Sequence, residues 1–63
     1  MANNNIKDAM NSQGRTQVFL QSELGKSRTT IYNWYNNISQ PNIFELKKIS
    51  DLLNVSMNNL VEL

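Results

Sequence analysis

Twice in the first half of the chain a glycine is followed two residues later by a hydroxyl side chain: Gly14 by Thr16, and Gly25 by Ser27. Glycine enters the left-handed backbone region that ends helices, and a serine or threonine accepts from the free N–H groups that open the next one. Each pair is therefore a helix stop and a helix start with almost nothing between them. A chain punctuated in this way folds into short helices joined by tight corners.

The apolar spacing fills in those helices. Ile6, Ala9 and Met10 share one helical face, which gives a first helix over about 5–13, closed by Gly14. Thr16 caps a second over about 17–24, in which Leu20 and Leu24 fall four apart with Val18 or Phe19 beside them. Ser27 caps a third over about 28–36, with Ile31 and Trp34 as its apolar stripe. At its end, Asn36-Asn37 offers the residue type that best tolerates positive φ after glycine. After the only proline, Asn42 and Glu45 form a capping-box pair ahead of Ile43, Leu46, Ile49, Leu52 and Leu53. Ser56 opens a last short helix carrying Met57, Leu60 and Val61. No period-two alternation competes with the helices, so the expectation is a compact all-α domain of five helices, without linker or repeat, spanning residues 1–63.

Composition narrows the function. With no cysteine and no histidine, the chain lacks disulfides, thiolate metal sites and the commonest general base. No pair of carboxylates, activated nucleophile or phosphate loop takes their place, and neither an enzyme nor a cofactor or metal is expected. The amino terminus has no basic and apolar leader pattern, and no apolar run reaches the roughly 18 residues of a membrane span, so a cytoplasmic protein is expected. Net charge is only +1, but Arg15, Lys26 and Arg28 face Glu23 alone between Gly14 and Asn37. The middle of the chain is thus mildly basic. Eleven asparagines make the surface amide-rich, and Asn3, Asn4 and Asn5 read as solvated.

The second and third helices are separated only by Gly25-Lys26-Ser27. That is the spacing of a helix-turn-helix, whose second helix presents its outer face to the DNA major groove. On a wheel of the third helix, Ile31 and Trp34 point one way, while Arg28, Thr29, Tyr32, Asn33 and Asn36 cluster on the other. Arginine can fork onto guanine, asparagine onto adenine, and the threonine methyl can meet that of thymine. A polar outer face is also what any surface helix shows.

An ordered set of motifs adds to this reading. Thr16-Gln17, Leu20, Leu24-Gly25-Lys26-Ser27, Thr30-Ile31, Trp34, Asn36, Gln40-Pro41-Asn42 and the tail "LKKISDLLNVSMNNL" appear in sequence. From about Ile6 to Leu63 the chain resembles the Cro and lambda-repressor-like (XRE-type) helix-turn-helix family. The resemblance implies a five-helix DNA-binding domain with helices 2 and 3 as the motif. It also implies roles for individual residues. Gln17, at the start of the second helix, stands where the family's glutamine lies beside the DNA backbone. Arg28 and Thr29 open the recognition helix where related proteins reach base edges, and Asn33 follows one turn later. Asn36, Asn37 and Lys26 fit positioning on the DNA backbone. Tyr32 is expected there too, although packing on a base edge stays open.

Trp34 belongs to the core, Thr30 to packing or capping, and Phe19 and Tyr35 to the core rim or the surface. Lys7 and Arg15 are within possible reach of phosphates, while Lys47 and Lys48 read as solvated charges. The chain departs from the family at Asn37, where glycine is usual, and at Gln21, often alanine. Tyr35 stands in for a common glutamate, and Lys26 for a small apolar residue.

The resulting expectation is a sequence-specific regulator of transcription that binds double-stranded DNA without a cofactor. One short helix inspects only a few base pairs, so a homodimer on a pseudo-palindrome is expected, with half-sites about 34 Å apart or a multiple of it. Val55, Met57, Leu60, Val61 and Leu63 are the candidate dimer surface, although several of them must serve the monomer core first. The competing readings are a protein-interaction module on the same fold and the DNA-binding part of a longer repressor or antitoxin.

Overall fold

The computed structural model describes residues 3–62. Five helices follow in order: α1 (Ile6–Gln13), α2 (Gln17–Leu24), α3 (Arg28–Tyr35), α4 (Ile43–Leu53) and α5 (Met57–Leu60). Their limits follow from local chemistry. Gly14 and Gly25 end α1 and α2 with φ of 67° and 64°. The Thr16 and Ser27 side chains accept from the N–H groups of Phe19 and Thr30. At α4 the Asn42 and Glu45 side chains each accept from the other's backbone N–H, at 2.9 and 3.1 Å, completing the capping box. Asn54 ends α4 in the left-handed region, a second asparagine stop that the spacing of apolar residues did not reveal.

Ile6, Met10, Leu20, Ile31, Trp34, Leu46, Ile49, Leu53 and Leu60 form the core, every helix contributing at least one. Trp34 is buried, as its spacing from Ile31 predicts. Beside Leu20, α2 turns Phe19 rather than Val18 toward the core; Val18 remains 67% exposed. Ile43 also departs from expectation. It lies at the first position of α4 and is exposed, because Leu46, Ile49 and Leu53 already fill the face of α4 turned to the core.

The five-helix expectation holds, and a minimal two-stranded pairing is added to it. Asn3–Asn4 (β1) and Val61–Glu62 (β2) pair antiparallel, Asn3 opposite Glu62 and Asn4 opposite Val61. Val61 is therefore extended rather than helical. Two residues per strand are too few to show an alternating pattern. The N–H of Asn5 donates to the C=O of Leu60 at 2.8 Å, continuing the join between the two ends of the described chain.

Asn4 overturns its reading as a solvated residue, being only 6% exposed. Its Nδ2 donates to the Trp34 carbonyl (2.9 Å) and to Gln40 Oε1 (2.6 Å), while its Oδ1 accepts from the Ile6 N–H (3.0 Å). A buried amide is stable only when its polar atoms are paired in this way. The apolar tail is likewise committed: Leu60 is fully buried, and Val55, Met57 and Val61 pack against the core. Leu63 lies outside the described residues. The tail therefore serves the monomer core first, as expected of several of its residues, while Val55, Met57 and Val61 keep part of their surface exposed.

Candidate nucleic-acid interface

The corner between α2 and α3 brings the first turn of α2 beside the outer face of α3. Two stripes divide that face. Arg28, Tyr32 and Tyr35, spaced at i, i+4 and i+7, line a groove of about 770 Å³. Its other wall is Gln17, Val18 and Gln21 from α2, and its floor runs through Asn11, Arg15 and Thr16 at the end of α1 and the turn after it. Thr29 and Asn33 belong to the neighbouring stripe.

Each proposed contact residue can now be placed. Arg28 and Thr29 are exposed in the first turn of α3, where no core contact restrains them. Tyr32 is about half exposed. Asn33 is half-buried, and its carbonyl accepts from the N–H groups of Ile38 and Ser39 at 2.8 and 3.3 Å, so its backbone shapes the α3–α4 loop. Gln17 is half-buried at the first position of α2, where unpaired N–H groups and the helix dipole favour an anion.

Three further side chains meet partners inside the protein. Asn36 donates its Nδ2 to the Tyr32 carbonyl at 3.0 Å, closing α3. Asn37 takes φ of 60°, and its amide pairs with the backbone of Asn4. The Lys26 Nζ lies 2.6 Å from Glu45 Oε2, so the corner of the α2–α3 unit is tied to the first turn of α4. That hydrogen-bonded lysine holds the Glu45 carboxyl below its usual range, against a smaller opposing effect of burial. Thr30 is a capping neighbour, as expected: its Oγ1 accepts from Ser27 Oγ at 3.0 Å.

Charge in the groove has one sign. Among the described residues Arg15 and Arg28 line it and no carboxylate does, and the two salt bridges involve neither arginine. The Arg15 guanidinium sits 4.5 Å from the centroid of the Phe19 ring, which holds it in place without neutralising it. Tyr35 is half-buried; its hydroxyl donates to Asn11 Oδ1 at 3.0 Å and Lys7 Nζ lies 5.7 Å from its ring centroid. It therefore joins α1 to α3, and Gln21 lines the groove from α2.

Sequence reasoning passed over Asn11, weighed Val18 only as a core residue of α2, and left Tyr35 between the core rim and the surface. The i, i+7 spacing from Arg28 to Tyr35 was the available signal. Asn11 had none, because its place in the groove depends on how α1 packs against α3. Among the described residues no group of three or more acidic, cysteine or histidine side chains lies close enough to hold a metal ion. No helix among them is long and apolar enough to cross a membrane.

The family model described as helix-turn-helix matches residues 6–60, from the first core residue of α1 to the last of α5. The chain belongs to the XRE-type helix-turn-helix family. A solved structure is similar throughout: the crystal structure of a "putative DNA-binding protein" from Bacteroides fragilis, 39% identical, superimposes with a TM-score of 0.95. The alignment covers 98% of this helix-turn-helix chain and 100% of that one. No curated protein matches.

Proposed function

We propose that this protein binds double-stranded DNA sequence-specifically and regulates transcription, with α3 seated in the major groove. The observation that carries this reading is the carboxylate-free groove in which Arg28 at the start of α3 stands across from Gln17 at the start of α2. An arginine free of internal ion pairs can fork onto guanine, and a helix start beside it can hold the adjoining phosphate. Arg28, Thr29 and Asn33 read bases in this account, while Gln17 and Asn36 position the backbone, and Tyr32 meets the backbone with room for its ring to lie against a base edge as well. Lys26 and Asn37 stand at the two ends of α3. Each reaches a phosphate only by giving up Glu45 or Asn4, so their part is chiefly to hold α3 in place.

The dimer is part of the proposal, because α3 alone spans too few base pairs for a useful site. With the tail packed on the core, the exposed large apolar residues outside the groove are Ile38, Ile43 and Phe44. They are the described surface best suited to a second copy, and Phe44→Ser would shift the equilibrium toward monomer in sedimentation if that surface is used. Selection of bound fragments from random duplex DNA tests the whole reading. A two-fold symmetric logo with half-sites about 34 Å apart, or a multiple of it, is expected. Enrichment of no sequence would refute it.

A further inference from the structure

Val18 is 67% exposed and lines the groove with the half-exposed ring of Tyr32 and the half-buried ring of Tyr35, among amide, hydroxyl and guanidinium side chains. Tyr35 is held by Asn11, which leaves Val18 and Tyr32 as the apolar groups free to meet a ligand. Neither side chain serves the core, which takes Phe19 and Leu20 from α2 and Ile31 and Trp34 from α3. Valine gains nothing for the helix either, since β-branching makes it a poorer helix former than the polar residues that suit an exposed position. An apolar pair in a cationic, carboxylate-free groove calls for a ligand that is anionic along its edges and apolar at one point. The major groove of duplex DNA has that character: phosphates border it, and the C5-methyl of a pyrimidine is the apolar group displayed on its floor.

We infer that Val18 and Tyr32 together receive the C5-methyl of a pyrimidine, which makes them specificity-determining residues beside the base pair read by Arg28. The inference rests on the DNA-binding reading and adds to it a base preference that hydrogen bonding alone does not supply. The methyl has two sources, thymine and 5-methylcytosine, which present the same group at the same place.

The test starts from a duplex recovered by selection. Each thymine is replaced in turn by deoxyuridine, which removes one methyl and leaves every hydrogen-bonding group, and each cytosine by 5-methyldeoxycytidine. Thymine readout predicts a loss of about fourfold in affinity at one position per half-site, the weight of one buried methyl. Readout of 5-methylcytosine predicts a gain of about the same size at one cytosine. Either change should disappear in Val18→Ser and shrink in Tyr32→Gln. Val18→Gln, which carries no methyl and suits an exposed helix position, serves as the second variant should Val18→Ser melt early. Affinity indifferent to every methyl, or a methyl effect unchanged in the Val18 variants, overturns the inference while leaving DNA binding intact. Failure to recover any duplex refutes DNA binding itself, and the inference with it.

Discussion

The side-chain amide of Asn37 pairs with the backbone of Asn4 as a neighbouring strand would, accepting from its N–H at 2.8 Å and donating to its C=O at 3.2 Å. Asn37 also turns the chain out of α3 with φ of 60°. One residue thus does two things, and glycine, the family's usual choice here, could do only the turn. Asn37→Gly removes the amide but relieves the left-handed backbone, so a net loss of about 1 kcal/mol is expected; Asn37→Ala forfeits both and should lose about 2–3 kcal/mol. Urea denaturation of the three proteins checks the order. A glycine variant as stable as the parent would show that the amide pairing adds nothing.

Asn4 concentrates more hydrogen bonds in less space. Asn4→Ala leaves the Ile6 N–H without its side-chain partner in a buried setting and takes from the Trp34 carbonyl the shorter of its two bonds, leaving only the Asn37 N–H at 3.3 Å. A cost of about 2–3 kcal/mol follows from unpaired buried groups. In a domain this small, that is expected to appear as a melting temperature lowered by roughly ten degrees or more. A shift of only one or two degrees would mean that water takes over both bonds.

The Lys26–Glu45 pair gives stability a dependence on acid. The folded-state pKa of Glu45 lies below its ordinary value of 4.5, chiefly because it accepts a hydrogen bond from Lys26. A carboxyl lowered by folding stabilises the protein above its unfolded pKa, and that contribution disappears as pH falls through the lower folded value. Glu45→Gln should therefore melt earlier than the parent at neutral pH, by an amount worth about 1 kcal/mol or less for an exposed ion pair plus a cap. The gap should narrow as pH is brought below 4.5. A gap that is constant from neutral to acid pH would remove the ionised form from the explanation.

How far these features were legible in the sequence depends on the distance over which each is decided. Gly14, Thr16, Gly25, Ser27, Asn42 and Glu45 act within a turn of their own position, and the helix limits they imply are those observed. Ile31 and Trp34 could be assigned inward because a single helix has only one face to bury. Asn4 could not be assigned: the groups it satisfies, on Trp34 and Gln40, lie far along the chain. The choice of Phe19 over Val18 failed to show for a related reason, since both are apolar and only the packing of α2 decides between them. In the candidate interface, Arg28 and Gln17 were legible from the motif that carries them. Asn11 was not, because α1 reaches the groove only through its contact with Tyr35.

Gln17 separates positioning from reading. Gln17→Ala should weaken binding to every duplex by a similar factor, because a phosphate contact carries no sequence information. Competition with a panel of single-base variants of the selected site measures this. A loss confined to particular bases would move Gln17 into the set of reading residues.

The central claim is that the exposed face of α3, led by Arg28, enters the groove of a duplex. Fluorescence anisotropy with the selected duplex, titrated from low to moderate salt for the parent and for Arg28→Ala, tests it most directly. Binding should fall steeply with salt in both proteins, and Arg28→Ala should cost about 1–3 kcal/mol and lose its preference at one base pair per half-site. Absence of a complex at low salt, or an affinity that ignores salt and is unchanged in Arg28→Ala, would contradict the account.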